Sequence, residues 1–186
     1  YLDQSLRMLM NEASKQDWYD NTIFVFTADH GNRDWPGTRY DTKWYHPHIP
    51  FIAYAPDGSL PPKVVTDRIM SQLDIGPTIL GLTGYDKPYV SMGRDVLADS
   101  TTHYALNFFN NQFQINSLHY LVRWEAQNDR IVDVFDIRTD PELTTPLERY
   151  DEGEVEQMRT WAKAYLQDFS ERINTNRLSI KNQQKQ

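Results

Sequence analysis

An α/β fold is predicted, with a mostly parallel sheet and flanking helices, followed by a small antiparallel subsheet and a terminal helix. Three features point to it. A helical pattern, Leu2, Leu6, Leu9 and Ala13, runs through a short break into the apolar strand Thr22–Thr27. A second apolar run, Phe51–Ala55, is closed by the turn Pro56-Asp57-Gly58. After Tyr104 the pattern becomes short runs punctuated by Asn-Asn, Asn-Ser and Asn-Asp, the signature of an antiparallel meander.

The elements follow in order. Spacings of four, three and four draw one apolar stripe on a helix over about residues 1–16, and Asp20-Asn21 breaks it. Thr22-Ile-Phe-Val-Phe-Thr27 is β-branched and aromatic without polar alternation, which predicts a strand buried on both faces. Val64-Val65 is a candidate short strand. Asp74 stands where a helix N-cap belongs, with Pro77 in the first turn, Leu82 near the end and Gly84 beyond it. Tyr104–Phe109, Gln112–Asn116, Leu118–Trp124 and Val132–Ile137 are the meander strands. Asp151 or Glu152 starts a last helix, about 153–173, that places Val155, Met158, Trp161, Ala162, Tyr165 and Phe169 on one face. The expected organisation is an α/β core over 1–100, the subsheet and helix over 101–173, and a frayed tail over 174–186.

Composition narrows the function. The chain has 186 residues, no cysteine and a formal net charge of −7. That excludes a disulfide-stapled mini-protein, a CxxC redox enzyme and a cysteine-ligated zinc module. Eleven tyrosines, eight phenylalanines and five tryptophans are too many for a disordered tail. The acidic balance argues against nucleic acid as a partner. The longest apolar runs are strand-sized, well short of the ~20 residues that cross a bilayer. Tyr1 opens directly into a helical pattern, so the sequence is expected to be a piece of something longer. P-loop, GxSxG, GxGxxG and HExxH motifs are absent.

The sharpest chemical signal is Thr27-Ala28-Asp29-His30-Gly31 at the carboxyl end of the first strand, where open α/β sheets place their ligands. Asp29 and His30 supply an oxygen and a nitrogen for a divalent cation, and Gly31 lets the chain turn away. A complete site needs about four to six ligands, so others must come from elsewhere. Alternatively, Asp29 caps a turn and His30 packs under the loop. That loop, 29–50, is long and rich in Trp35, Tyr40, Trp44 and Tyr45. Within it, His46 and His48 are candidates to hydrogen-bond an anionic group, and Arg33 and Arg39 to steer one. His103 and His119, in the meander, are expected to be structural. Asp133, Asp136 and Asp140 are expected to serve turns and edges, and Asp151 through Glu154 a helix N-terminus.

The order of segments adds a resemblance. Asp20 through Gly31 resembles the second metal-binding segment of the sulfatase and lipoteichoic-acid-synthase (phosphoglycerol transferase) branch of the alkaline phosphatase superfamily. His48 through Pro56 is similar to the family's following core strand, and Leu73 through Leu80 to its DIxPT helix start. Gly84 with Gly93-Arg94-Asp95-Val96-Leu97 resembles the GxxL segment, and Val134 through Glu142 the LYDLxxDPxE stretch. Together these cover about residues 1–150 and imply the C-terminal portion of an alkaline-phosphatase-like fold.

The resemblance implies that Asp29 and His30 bind the catalytic cation, which could be Mn²⁺, Mg²⁺, Zn²⁺ or Ca²⁺. It implies a phosphate- or sulfate-ester substrate bound by His46, His48, Lys43 and Arg33. The nucleophile, a Thr or a modified Cys or Ser, is expected in a missing N-terminal half, so no catalytic residue is assigned within the chain. An extracytoplasmic location is implied, with the membrane reached only through an upstream anchor. The competing reading is a non-catalytic binding or scaffold module of the same fold.

Overall fold

The computed structural model describes residues 1–31, 47–98 and 104–180. The chain divides into two compact units, residues 1–65 and residues 66–186, so the helix after Ser71 groups with the meander.

In the first unit, helix α1 spans Leu2–Ala13. Its end is tied by the Ser14 N–H donating to the Met10 carbonyl at 3.0 Å and the Ser14 hydroxyl donating to the Asn11 carbonyl at 2.9 Å. The apolar stripe is covered only in part. Ala13 is buried and Leu6 half-buried, whereas Leu2 and Leu9 are 74% and 52% exposed.

Strands β1, Phe24–Thr27, and β2, Phe51–Tyr54, form a two-stranded ribbon. Both strands lie where the apolar runs predict them, but their pairing is antiparallel, with Phe24 opposite Tyr54 and Thr27 opposite Phe51. The expectation of parallel neighbours is therefore corrected for this pair. A parallel partner needs a crossover that carries the chain back to its starting end. Here β2 begins beside the residue at which β1 ends. Burial on both faces is corrected as well. Phe24, Val25 and Phe26 are half-buried, Thr27 is exposed, and β2 alternates, with Ile52 54% exposed. Phe24 anchors the ribbon, its ring 5.6 Å from Tyr19 and 6.3 Å from both Trp18 and Tyr54.

Val64-Val65 closes the first unit. It is exposed and forms no strand, because nothing described pairs with it. Helix α2 spans Gln72–Leu82. Its N-cap is Ser71, a correction to the expectation at Asp74. Asp74 is instead the third helical residue of a capping box, its carboxylate accepting from the Ser71 N–H at 2.7 Å. Pro77 consequently lies inside the helix, not in its first turn. The predicted C-terminus holds. Tyr85 N–H donates to the Leu80 carbonyl at 2.9 Å and Gly84 N–H to that of Gly81 at 3.0 Å, with Gly84 left-handed at φ 67°, a Schellman end that suits glycine. The other carboxylate oxygen of Asp74 accepts from Arg94 N–H at 3.0 Å, and the Thr78 hydroxyl accepts from Val96 N–H at 3.2 Å. Segment 93–96 is thereby laid on α2.

The meander forms in the order β3–β4–β5–β6, with β3 Ala105–Phe109, β4 Gln112–Asn116, β5 Tyr120–Glu125 and β6 Arg130–Asp136, every pair antiparallel. Asn110 and Asn111 are both left-handed (φ 50° and 59°), as a two-residue type I′ turn requires and as Asn tolerates. Helix α3, Glu152–Asn174, starts at Asp151, whose side chain accepts from Glu154 N–H at 3.0 Å. Its buried face (Val155, Met158, Ala162) packs on Ile115, Val122, Trp124 and Val134. Each full-size side chain buried in this way contributes about 1.5–3 kcal/mol. Asp129, in the β5–β6 turn, fastens sheet to helix by accepting from Trp124 Nε1 at 3.1 Å and Lys163 Nζ at 2.5 Å. Those bonds hold its carboxyl below the usual aspartate range, the Lys163 ammonium first among the causes.

Candidate functional site

The end of β1 is where the sequence signal and the geometry meet. Thr27, the last strand residue, donates its hydroxyl to the Pro50 carbonyl at 2.9 Å, tying it to the approach to β2. Beyond it the chain leaves strand geometry and bends at Asp29 and His30. Successive strand side chains face opposite ways, so only such a bend brings neighbouring residues to one side. Asp29 Oδ2 stands 3.6 Å from His30 Nε2, and Asp29 Oδ1 accepts from the His30 N–H at 2.9 Å. The two side chains are 87% and 59% exposed.

The imidazole is oriented by its other nitrogen, Nδ1, which lies 2.9 Å from the Gly31 carbonyl oxygen. A carbonyl only accepts, so Nδ1 carries a proton, and Nε2 is the ring nitrogen that faces Asp29 Oδ2. A backbone carbonyl behind a histidine is the usual device for aiming it at a metal ion.

The pair fits a divalent cation on distance. Two donors each ~2.0–2.2 Å from one ion stand roughly 2.8–3.6 Å apart, from the right-angle to the tetrahedral arrangement. The observed separation is at the tetrahedral limit. Two donors do not complete a site, and no group of three or more His, Cys, Asp or Glu suited to a metal occurs among the described residues.

The antiparallel register adds His48. Since Thr27 faces Phe51, the residues leaving β1 and those entering β2 occupy the same end of the ribbon. His48 is exposed there. Arg33, Arg39, Lys43 and His46 lie outside the described residues, as does His103.

The acidic residues discounted as a cluster have structural partners. Asp133 pairs with Arg123, and Asp136 with Arg138 at 2.9 Å. Arg138 lowers the Asp136 carboxyl from its ordinary value to about 2, chiefly through the side-chain hydrogen bond. Asp140 accepts from the Thr144 and Thr145 N–H groups, both at 2.8 Å. His119 Nδ1 lies 3.2 Å from Glu154 Oε2 and so tethers the β4–β5 turn to α3, a structural role. The His119–Glu154 contact had no sequence signal, because the two residues are brought together only by the packing of α3.

Comparison with known proteins gives this geometry a context. Residues 1–85 match the family model described as Sulfatase. Among solved structures, the chain is similar to a protein in the alkaline phosphatase superfamily from Vibrio parahaemolyticus, at 25% identity and a TM-score of 0.66, over 89% of this chain and 40% of that one. It is similar to a 2-O GAG sulfatase at 17% identity and a TM-score of 0.63, over 92% of this chain and 41% of the other. A third, solved in complex with its substrate D-glucosamine-2-N,6-O-disulfate, matches at 18% identity and a TM-score of 0.58, over 89% of this chain and 39% of that one. The chain spans about 40% of the length of these structures.

Proposed function

We propose that this chain, a sulfatase-like member of the alkaline phosphatase superfamily, is the C-terminal part of a metal-dependent ester hydrolase acting on sulfate or phosphate esters. The family match over residues 1–85 favours sulfate. The single observation that carries the reading is the convergence of Asp29 Oδ2 and His30 Nε2 at 3.6 Å at the end of β1, with Nδ1 directed to the Gly31 carbonyl. When bound, the cation supplies charge that polarises the ester oxygen and lowers the pKa of an attacking hydroxyl.

The work of this chain's own residues follows from their positions. Asp29 contributes negative charge and one oxygen donor. His30 contributes a nitrogen donor whose tautomer and direction are set by the Gly31 carbonyl. His48, at the same end of the ribbon, is a candidate hydrogen-bond donor to a substrate oxygen, together with Arg33, Lys43 and His46 from the intervening sequence. The remaining ligands and the nucleophile are assigned to the rest of the enzyme, in keeping with the share of its relatives that the chain spans. A phosphoglycerol transferase of the same superfamily is the finer alternative, resting on the segment resemblances. For either, an extracytoplasmic location is proposed. No helix among the described residues is long and apolar enough to cross a membrane.

The test is metal content and turnover in the full-length enzyme, with an aryl sulfate and an aryl phosphodiester as alternative substrates. Asp29→Ala and His30→Ala should each lower metal occupancy and reduce hydrolysis by two orders of magnitude or more, whereas His119→Gln should leave occupancy unchanged. Full occupancy in both site variants would overturn the assignment. Preference for the phosphodiester would replace sulfatase with the phosphoryl alternative.

A further inference from the structure

Asp29 and His30 keep their mutual geometry by local bonds. Asp29 Oδ1 accepts from the His30 N–H, and the Gly31 carbonyl lies behind Nδ1. Those bonds orient the two side chains toward each other and leave open where the pair stands on the ribbon. Donors to a metal ion have to be held within about 0.5 Å of their productive places, so the point from which the chain bends must itself be fixed.

Main-chain pairing stops short of that point. The last pair of the β1–β2 ladder is Thr27 opposite Phe51. The residue before Phe51 is Pro50, which has no N–H and cannot donate a further ladder bond. Its carbonyl still accepts, and the Thr27 hydroxyl donates to it at 2.9 Å. A side chain therefore takes over where the ladder ends. Thr27 is β-branched and has few χ1 choices in a strand, which fixes the direction of its hydroxyl. Asp29 lies two residues beyond this bond on one strand, and His48 two residues before it on the other. Thr27 and Pro50 are both exposed. Water can replace such a bond, so it adds little to stability. What it supplies is a fixed spacing.

We propose that Thr27 is a positioning residue for the metal site, its hydroxyl clamping the end of β1 to Pro50 so that Asp29 and His30 leave the ribbon from one defined place. The role rests on the reading of Asp29 and His30 as metal donors. Thr27 touches neither the cation nor the substrate. It acts through the two residues that follow it.

The test uses the full-length enzyme and Mn²⁺ alone as the probe, with affinity measured by titration. Thr27→Val removes the donor and keeps the branched shape that strands favour. Thr27→Ser keeps the donor. Thr27→Val should weaken Mn²⁺ binding about tenfold or more, as losses behind a metal ligand do, and lower kcat/KM with it. Its Tm should stay within about 2 °C of the parent, as for an exposed substitution. Thr27→Ser should restore Mn²⁺ affinity to within a few-fold of the parent. An unchanged Mn²⁺ affinity in Thr27→Val would overturn the positioning role. So would an equal loss in Thr27→Ser, or a loss in Thr27→Val that comes with a much lower Tm, since either would mark a general structural defect. Asp29→Ala separates this role from the reading beneath it. If Asp29→Ala loses Mn²⁺ and Thr27→Val keeps it, the positioning role alone fails. If Asp29→Ala keeps Mn²⁺, the metal assignment fails and the positioning role falls with it.

Discussion

Adding one methyl group at Gly93 should destabilise the second unit strongly, whereas the same change at Gly81 should not. A Cβ on Gly93 would stand 1.9 Å from the Leu73 carbonyl oxygen, 2.2 Å from its carbon and 2.6 Å from the Asp74 nitrogen. These are backbone atoms of the first turn of α2, and no rotamer change moves them. Segment 93–96 must lift away, which breaks the Arg94 N–H bond to Asp74 and the Val96 N–H bond to Thr78. Asp74 is 6% exposed and Thr78 is fully buried, so neither regains water readily. A bond to a charged acceptor contributes about 1.5–3 kcal/mol and a neutral one about 1, which puts the loss near 3 kcal/mol and the fall in Tm at roughly 6–12 °C. At Gly81 the new Cβ meets only the Asp95 carboxylate, 1.9 Å away. That side chain can swing aside, giving up its exposed bonds to the Leu97 and Ala98 N–H groups. Ala in place of Gly in a helix returns about 1 kcal/mol, so the net change is close to zero. Thermal melts followed by circular dichroism compare the two variants. A Gly93→Ala melt within 1–2 °C of the parent, or an equal fall for Gly81→Ala, would refute the docking of 93–96 on α2.

Further outcomes are expected. Asp136 has a folded pKa of about 2, below the unfolded value near 3.9, so its pairing with Arg138 contributes stability that is present above about pH 4 and lost as pH falls toward 2. Arg138→Ala should raise the Asp136 pKa toward the ordinary range in an NMR titration and flatten the stability profile across that window. Asp151→Ala removes the side-chain acceptor for Glu154 N–H and should cost about 1 kcal/mol, read as a lower urea midpoint with an unchanged slope. The purified 186-residue chain, holding only part of the proposed ligand set, should not hydrolyse sulfate or phosphate esters, and turnover that depends on Asp29 would contradict the division of labour.

Much of the fold was legible because local signals agreed. Asn110-Asn111, Gly84 and Asp151 mark a turn, a helix end and a helix start by backbone chemistry that needs no tertiary information. Ser71-Gln-Leu-Asp74 carries a capping-box signal, but Ser and Asp are equally good N-caps, so residue type alone does not choose between the two boundaries. Strand direction was not legible. A continuous apolar run such as Ile23–Phe26 reports burial, whereas pairing depends on where the chain returns, and β2 begins opposite Thr27. The Leu2/Leu9 side of α1 shows the same limit, since periodicity marks a face able to be buried without saying what buries it. At the candidate site, the sequence located Asp29 and His30 and the need for a bend. The Gly31 carbonyl behind His30 is a backbone contact, and no residue type announces it.

The most direct measurement of the central claim is pulsed EPR on the Mn²⁺-loaded full-length enzyme, with histidine labelled with ¹⁵N. Hyperfine coupling to a histidine nitrogen should be present in the parent and lost in His30→Ala, and Asp29→Ala should weaken Mn²⁺ binding at least tenfold. The Gly31 carbonyl at Nδ1 further predicts that Nε2 is the coupled nitrogen. An unchanged histidine coupling in His30→Ala, with the metal still bound, would contradict the account.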